Sequence, residues 1–166
     1  CKMLSQESTR YIVLSLTVTG LVFVIMSTAS DYWETATHND SHIFIGLWRG
    51  CGTVSGKKLC TQRPKSSAAL KVTTIFMVLG CLGYLAATTY CAIILIKKEL
   101  SIRLLAGILY ATAFLLLVAL CLYTVKLSTT QFTYGWSYIV GWCSTVVSFI
   151  AAGLCFVGHG GYQSIA

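Results

Sequence analysis

Four long stretches of this sequence contain no charged side chain, and they constrain the fold more than any other feature. No Asp, Glu, Lys or Arg occurs over residues 11–30, 72–96, 104–125 or 127–166. The first three stretches contain 20, 25 and 22 residues, and a helix needs about 20 apolar residues to cross the hydrocarbon layer of a bilayer. The fourth contains an apolar segment of the same length. The sequence therefore predicts a chain that crosses a membrane four times.

Composition argues against a soluble helical bundle. The 166 residues are 56% hydrophobic and only 10% charged, whereas soluble domains carry about 25% charged residues. Helices of a soluble bundle also need a polar face that repeats every 3.6 residues, and none of the four segments has one. A cleaved signal peptide is an alternative for the first segment, but its apolar stretch is longer than such a signal needs.

The spacing of the apolar segments predicts one domain over residues 1–166. A long polar loop over residues 30–70 follows the first helix, a tight basic turn links the second helix to the third, and a short loop over residues 126–136 precedes the fourth. The predicted helices cover residues 11–29, 71–96, 104–125 and 137–157.

Two of these helices carry small residues on one side, which lets neighbouring helices approach closely. We expect most of this packing to lie within the bundle, with a groove for a partner helix as the alternative. The small residues are Gly80, Gly83 and Ala87 on the second helix and Ser144, Ser148 and Ala152 on the fourth.

The long loop contains a predicted β-hairpin. Residues 42–48, HIFIGLW, alternate in the manner of a strand, and Ser55-Gly56 midway between two cysteines is typical of a two-residue turn. That turn pairs residue 54 with 57 and Cys51 with Cys60. The cysteine pair is then a non-hydrogen-bonded pair with its Cα atoms about 4.5 Å apart, within the range of a disulfide.

A disulfide is the favoured state of these two cysteines, and its closed loop would stabilise the fold by about 2–3 kcal/mol. A different turn would shift the register by one residue. Free thiols are a second alternative, and a metal site that also uses His38 and His42 is a third. Zinc sites ordinarily space their cysteines more closely than Cys51 and Cys60 are spaced, so we predict no metal.

Three features bear on orientation. Basic residues are denser in the turn over 97–103 than in the long loop, and the cytoplasmic loops of membrane proteins are enriched in Lys and Arg. Disulfides persist in oxidising compartments, and Asn39-Asp40-Ser41 is an acceptor sequence for N-glycosylation. We therefore expect a multi-pass plasma-membrane protein whose long loop is extracellular and whose N- and C-termini are cytoplasmic.

The sequence contains no catalytic signature. Its five acidic residues are scattered, and no acidic residue lies inside a predicted helix, where it would mark an ion path or a proton relay. We therefore predict that the protein is not an enzyme. No cofactor, nucleic acid or small-molecule substrate is predicted, and the expected partners are the lipid bilayer and other membrane proteins.

The long loop is rich in basic residues, which would favour acidic partners such as sulfated glycans or carboxylates. The alternative is a solvated positive loop close to lipid headgroups. The predicted extracellular basic surface comprises Arg49, Lys57, Lys58, Arg63 and Lys65.

Two groups of residues resemble the claudin superfamily. Trp33, the tripeptide Gly46-Leu47-Trp48, Cys51 and Cys60 are similar to its W…GLW…C…C signature. The stretches YTVK at 123–126 and FTYGWSYIVGW at 132–142 resemble most the branch that contains the lens fibre, epithelial and claudin-domain-containing membrane proteins.

The resemblance implies an all-α membrane protein, a left-handed bundle of four transmembrane helices under a small extracellular antiparallel β-sheet. It further implies that Cys51 and Cys60 bridge two strands, and that Trp33, Gly46, Leu47 and Trp48 seat the sheet on the bilayer edge.

The resemblance and the absence of a catalytic set together imply a role in cell–cell contact, junctions or membrane organisation. An auxiliary subunit of an ion channel or receptor is the alternative. A paracellular pore is less favoured because both loops are short.

Overall fold

The computed structural model contains four helices and a five-stranded sheet, and it describes residues 6–38, 41–54, 57–62, 68–97, 101–127 and 133–163. In chain order the elements are α1 (Gln6–Ala29), β1 (Glu34–His38), β2 (Ser41–Ile45), β3 (Arg49–Val54), β4 (Lys57–Gln62), α2 (Ala68–Ile96), α3 (Ile102–Leu127), β5 (Thr133–Tyr134) and α4 (Trp136–Gln163).

All four helices contain an apolar span long enough to cross a membrane, as the charge-free stretches predict. The spans are Ser8–Ala29, Ala68–Ile96, Ile102–Val125 and Trp136–Val157. Each helix extends beyond its predicted bounds at one end or both, because helical hydrogen bonding continues into polar flanks where the apolar pattern has ended.

Small residues bring the helices together within the bundle, which is the favoured of the two expectations. Gly80 and Gly83 of α2 face α3, where an added Cβ would overlap the side chains of Leu116 and Thr112. On α4 the Ser148 hydroxyl donates a hydrogen bond to the Leu109 carbonyl of α3 at 3.0 Å. These short approaches between backbones are typical of helix packing in membranes.

Tyr84 joins three helices at the centre of the bundle. Its ring is fully buried and covers Gly20 of α1, a position where any Cβ would overlap the ring. Its hydroxyl donates a hydrogen bond to the Ser144 carbonyl of α4. A large polar side chain is tolerated there because its one donor is used.

The sheet has the strand order β4-β3-β2-β1-β5, and every neighbouring pair is antiparallel. The register of β3 with β4 is the predicted one, with Val54 opposite Lys57 and Cys51 opposite Cys60. The predicted strand over residues 42–48 is wrong beyond Ile45. There the Gly46 N–H donates to the Arg49 carbonyl at 2.9 Å and turns the chain into β3.

Candidate functional site: the sheet and its attachment to the bundle

Trp33 forms the core of the attachment between the sheet and the helices. It lies between α1 and β1 and is completely buried. Its indole N–H donates to the Ser27 carbonyl at 2.6 Å. Its ring meets those of Tyr123 and Tyr138 edge-on, with centroid distances of 4.7 and 6.1 Å. Trp33 therefore contacts α1, α3 and α4 rather than lipid.

A buried acid lies beside this aromatic cluster. Glu34 opens β1 and is almost completely buried. The Tyr123 hydroxyl of α3 donates to Glu34 Oε1 at 2.5 Å. Sequence reasoning did not separate Glu34 from the other scattered acids. Tyr123 could have pointed to this site from the sequence, because it lies in one of the stretches that carry the family resemblance.

The residues at the start of α4 bond to the backbone beside Trp33 and so fasten α4 to the sheet. The Gly135 N–H donates to the Trp33 carbonyl at 2.8 Å, and the Ser137 N–H donates to the Tyr32 carbonyl at 3.2 Å. A Cβ at Gly135 would overlap the Tyr32 carbonyl oxygen. The first N–H groups of a helix have no partner within it, so Tyr32 supplies one for α4. Sequence reasoning missed this contact.

Gly46 and Leu47 lie against the end of α1. A Cβ at Gly46 would stand 2.7 Å from the Asp31 Cα atom and 2.8 Å from the Ser30 carbonyl oxygen. Only glycine permits such an approach of two backbones. Leu47, the next residue, is buried. These two positions of the GLW motif therefore hold the start of β3 close to the end of α1.

Trp48 and Arg49 complete the attachment at its rim. The Trp48 indole N–H donates to the Thr28 carbonyl at 2.8 Å, while 51% of the residue is exposed. A tryptophan with one bonded end and one exposed face is typical of a membrane interface. The Arg49 Nε donates to both carboxylate oxygens of Asp31, at 2.8 and 3.0 Å.

A disulfide joins the two strands that lie farthest from β5. Cys51 of β3 and Cys60 of β4 are directly opposite and bonded, with their Cα atoms 4.0 Å apart. Among the described residues, no three His, Cys, Asp or Glu side chains lie close enough together to hold a metal ion. Of the alternatives left open for this pair, the structure contains the disulfide.

One face of the sheet exposes an apolar row. The pairing of the four long strands places four residues in line on this face, and side chains in register point to the same side. They are Ala36, Ile43, Gly52 and Leu59. Leu59 is 73% exposed and Ile43 is 37% exposed. Between them Gly52 leaves open space, since nothing lies within 4 Å of an added Cβ.

The predicted basic surface is only partly described. Arg49 and Lys57 are exposed, but they occupy opposite ends of the β3–β4 hairpin, five residue pairs apart. At about 3.3 Å per residue this separates them by about 17 Å. Arg49 is neutralised by Asp31. The side chain of Lys58 is not described, and Arg63, Lys65 and the predicted glycosylation site Asn39 lie outside the described residues.

Comparison with known proteins agrees with this geometry. The model of the PMP-22/EMP/MP20/Claudin family matches residues 9–155, which include all four membrane spans in large part and the whole sheet. The chain belongs to the PMP-22/EMP/MP20/Claudin family. The resemblance inferred from the tryptophan, GLW and cysteine pattern is therefore confirmed.

Relatives within the PMP-22/EMP/MP20/Claudin family come from the branches that the sequence indicated. The lens fiber membrane intrinsic protein of Rattus norvegicus is 31% identical over 147 residues, covering 80% of each chain. Epithelial membrane protein 1 of Homo sapiens is 28% identical over 145 residues, covering 84% of this chain and 90% of the relative. Claudin domain-containing protein 2 of Homo sapiens is 32% identical over 145 residues, covering 86% and 81%.

Proposed function

We propose that this PMP-22/EMP/MP20/Claudin family member is a non-enzymatic protein of cell–cell contacts, junctions or membrane organisation, and that its sheet is the binding surface. The observation that carries the proposal is the exposed apolar row of Ile43 and Leu59 on a sheet that a disulfide stiffens. An exposed Leu on an edge strand has an apolar side chain in contact with water, and covering it is favourable.

The attachment described above supports a surface that binds as a rigid body. Trp33 and Gly135 fix the near side of the sheet to α1 and α4, and the disulfide fixes the far side. A rigid surface loses little conformational entropy on binding, which is a main cost of association. The helices hold this surface at a constant height above the bilayer.

The proposal includes an orientation in the plasma membrane. The sheet would be extracellular, with the N- and C-termini in the cytoplasm. The disulfide supports this orientation, because such bonds persist outside the cytosol. Treatment with a glycosidase tests it through Asn39: a loss of mass, abolished in Asn39→Gln, is the expected result. Labelling of the termini by a reagent added outside intact cells would contradict it.

The partner is proposed to be a second copy of this chain or another membrane protein. Two populations of vesicles, each carrying the full chain, would be mixed and their association followed by energy transfer between labels. Leu59→Thr keeps the strand preference of the position but removes the apolar side chain. We expect it to weaken association by about 1–2 kcal/mol, roughly tenfold.

Gln62→Thr is the matched control, because Gln62 is also exposed on β4 but lies on the opposite face of the sheet. Equal losses in Leu59→Thr and Gln62→Thr would refute the role of the apolar row. If wild-type vesicles do not associate, and the protein instead purifies from native membranes with one channel or receptor at fixed stoichiometry, the auxiliary-subunit role replaces adhesion.

A further inference from the structure

The bundle end opposite the sheet carries positive charge that no described acid neutralises. Asp31 and Glu34 are the acidic residues whose side chains the structure describes, and both lie at the sheet end, bonded to Arg49 and Tyr123. Arg10 of α1 and Lys97, which directly follows α2, lie at the other end.

Arg10 and Lys97 lie at nearly the same height on neighbouring antiparallel helices. Thr28 of α1 contacts Cys81 of α2 through their hydroxyl and thiol groups, 3.6 Å apart. At about 1.5 Å per residue, Arg10 lies about 27 Å along α1 from Thr28, and Lys97 lies about 24 Å along α2 from Cys81. Arg10 lies three residues before Val13, which is buried in one cluster with Cys91 and Ile94 of α2, and residues three apart share a helix face.

This height coincides with the edge of the hydrocarbon layer. The apolar span of α1 begins at Ser8 and that of α2 ends at Ile96. Lipid phosphates lie just outside the hydrocarbon core, in the headgroup region. Phospholipid headgroups are therefore within reach of Arg10 and Lys97 in a membrane.

Arg10 has an unused hydrogen-bond donor. Its Nε is buried and has no hydrogen-bond partner, a condition shared with only one other side-chain atom of the described residues, Thr88 Oγ1. A buried donor without a partner is costly. The planar guanidinium matches a phosphate through two parallel hydrogen bonds, and turning this partly exposed side chain outward to a phosphate would give the Nε an acceptor.

We propose that Arg10 and Lys97 form a binding site for the headgroup of an anionic phospholipid in the leaflet opposite the sheet. Arg10 supplies the directed hydrogen bonds, and Lys97 supplies a second positive charge on the neighbouring helix. This site lies at the other end of the molecule from the sheet surface and does not depend on the proposed function. It would fix the height and tilt of α1 and α2 in the bilayer.

The test uses the full chain in vesicles made of equal parts phosphatidylcholine and phosphatidylserine. Spin-labelled versions of each lipid report which one associates with the protein. We expect wild type to prefer phosphatidylserine, and Arg10→Gln to lower this preference by about fivefold, the effect of one basic residue near a charged membrane surface. Arg10→Lys retains the charge but not the planar guanidinium that makes two parallel hydrogen bonds, so it should lose part of the preference.

Lys71→Gln is the control, because Lys71 is an exposed cation near the start of α2, at the sheet end. If Lys71→Gln and Arg10→Gln change the preference equally, the effect is one of net charge and the proposed site is wrong. An unchanged preference in Arg10→Gln also overturns it. If Arg10→Gln loses its helical content, Lys97→Gln takes its place, and an unchanged preference in that variant overturns the proposal. Excess inorganic phosphate should not displace the labelled lipid.

Discussion

Two tryptophans hold the sheet on the bundle by the same type of hydrogen bond, and they differ in exposure. Trp33 donates to the Ser27 carbonyl and is completely buried, whereas Trp48 donates to the Thr28 carbonyl and is half exposed. Replacing each with phenylalanine keeps an aromatic ring and removes the donor. We predict that Trp33→Phe destabilises the protein far more than Trp48→Phe.

The magnitudes follow from burial. Trp33→Phe removes about three buried ring atoms, which costs about 2 kcal/mol in transfer free energy. It also leaves the Ser27 carbonyl without its donor in a region closed to water, at a further cost of about 1–3 kcal/mol. Because Trp48 is half exposed, about half of this transfer free energy applies there. Water can also donate to the Thr28 carbonyl in place of the lost indole N–H. The expected loss there is about 1 kcal/mol.

Equilibrium unfolding in mixed micelles measures both values. The fraction of sodium dodecyl sulfate is raised stepwise and the helical content is followed by circular dichroism. Wild type and both variants are compared with the disulfide intact, as a non-reducing gel verifies. If the two variants unfold at the same detergent fraction, or if Trp48→Phe is the less stable, Trp33 is not the core of the attachment.

Three further tests address other parts of the molecule. Cys51→Ser should destabilise the sheet by about 2–3 kcal/mol, and unchanged protease resistance of the sheet would count against this. Gly135→Ala should disrupt packing against Tyr32, whereas Gly153→Ala, which meets open space, should be neutral or stabilise α4 by up to about 1 kcal/mol; equal melting temperatures would contradict the reasoning. Tyr123→Phe removes the hydroxyl bonded to the buried Glu34 and should cost about 1–3 kcal/mol in unfolding free energy, so a stability equal to wild type would show this bond to be dispensable.

The features that were predictable from sequence depend on local patterns. The membrane spans follow from the absence of charge over stretches of bilayer length. The register of β3 with β4 follows from the position of one turn between Cys51 and Cys60. Both patterns act over short distances along the chain, so no knowledge of tertiary contacts is needed.

The features that were missed depend on contacts between distant residues. The alternation of HIFIGLW continues to Trp48, but the chain leaves the strand at Ile45 because Gly46 packs against Asp31. Strand β5 has two residues and exists through its pairing with β1, so its own sequence carries little strand signal. The burial of Glu34 depends on Tyr123, which lies 89 positions away in the sequence.

The strand order divides the sheet into strands that join the bundle and strands that lie farther from it. β1 and β5 contact the helix ends, so a substitution there alters folding of the whole molecule. β4 lies three strands away from β1 and is fastened by its own covalent bond to β3. A substitution at an outer position of β4 should therefore disturb the bundle less than a substitution in β1.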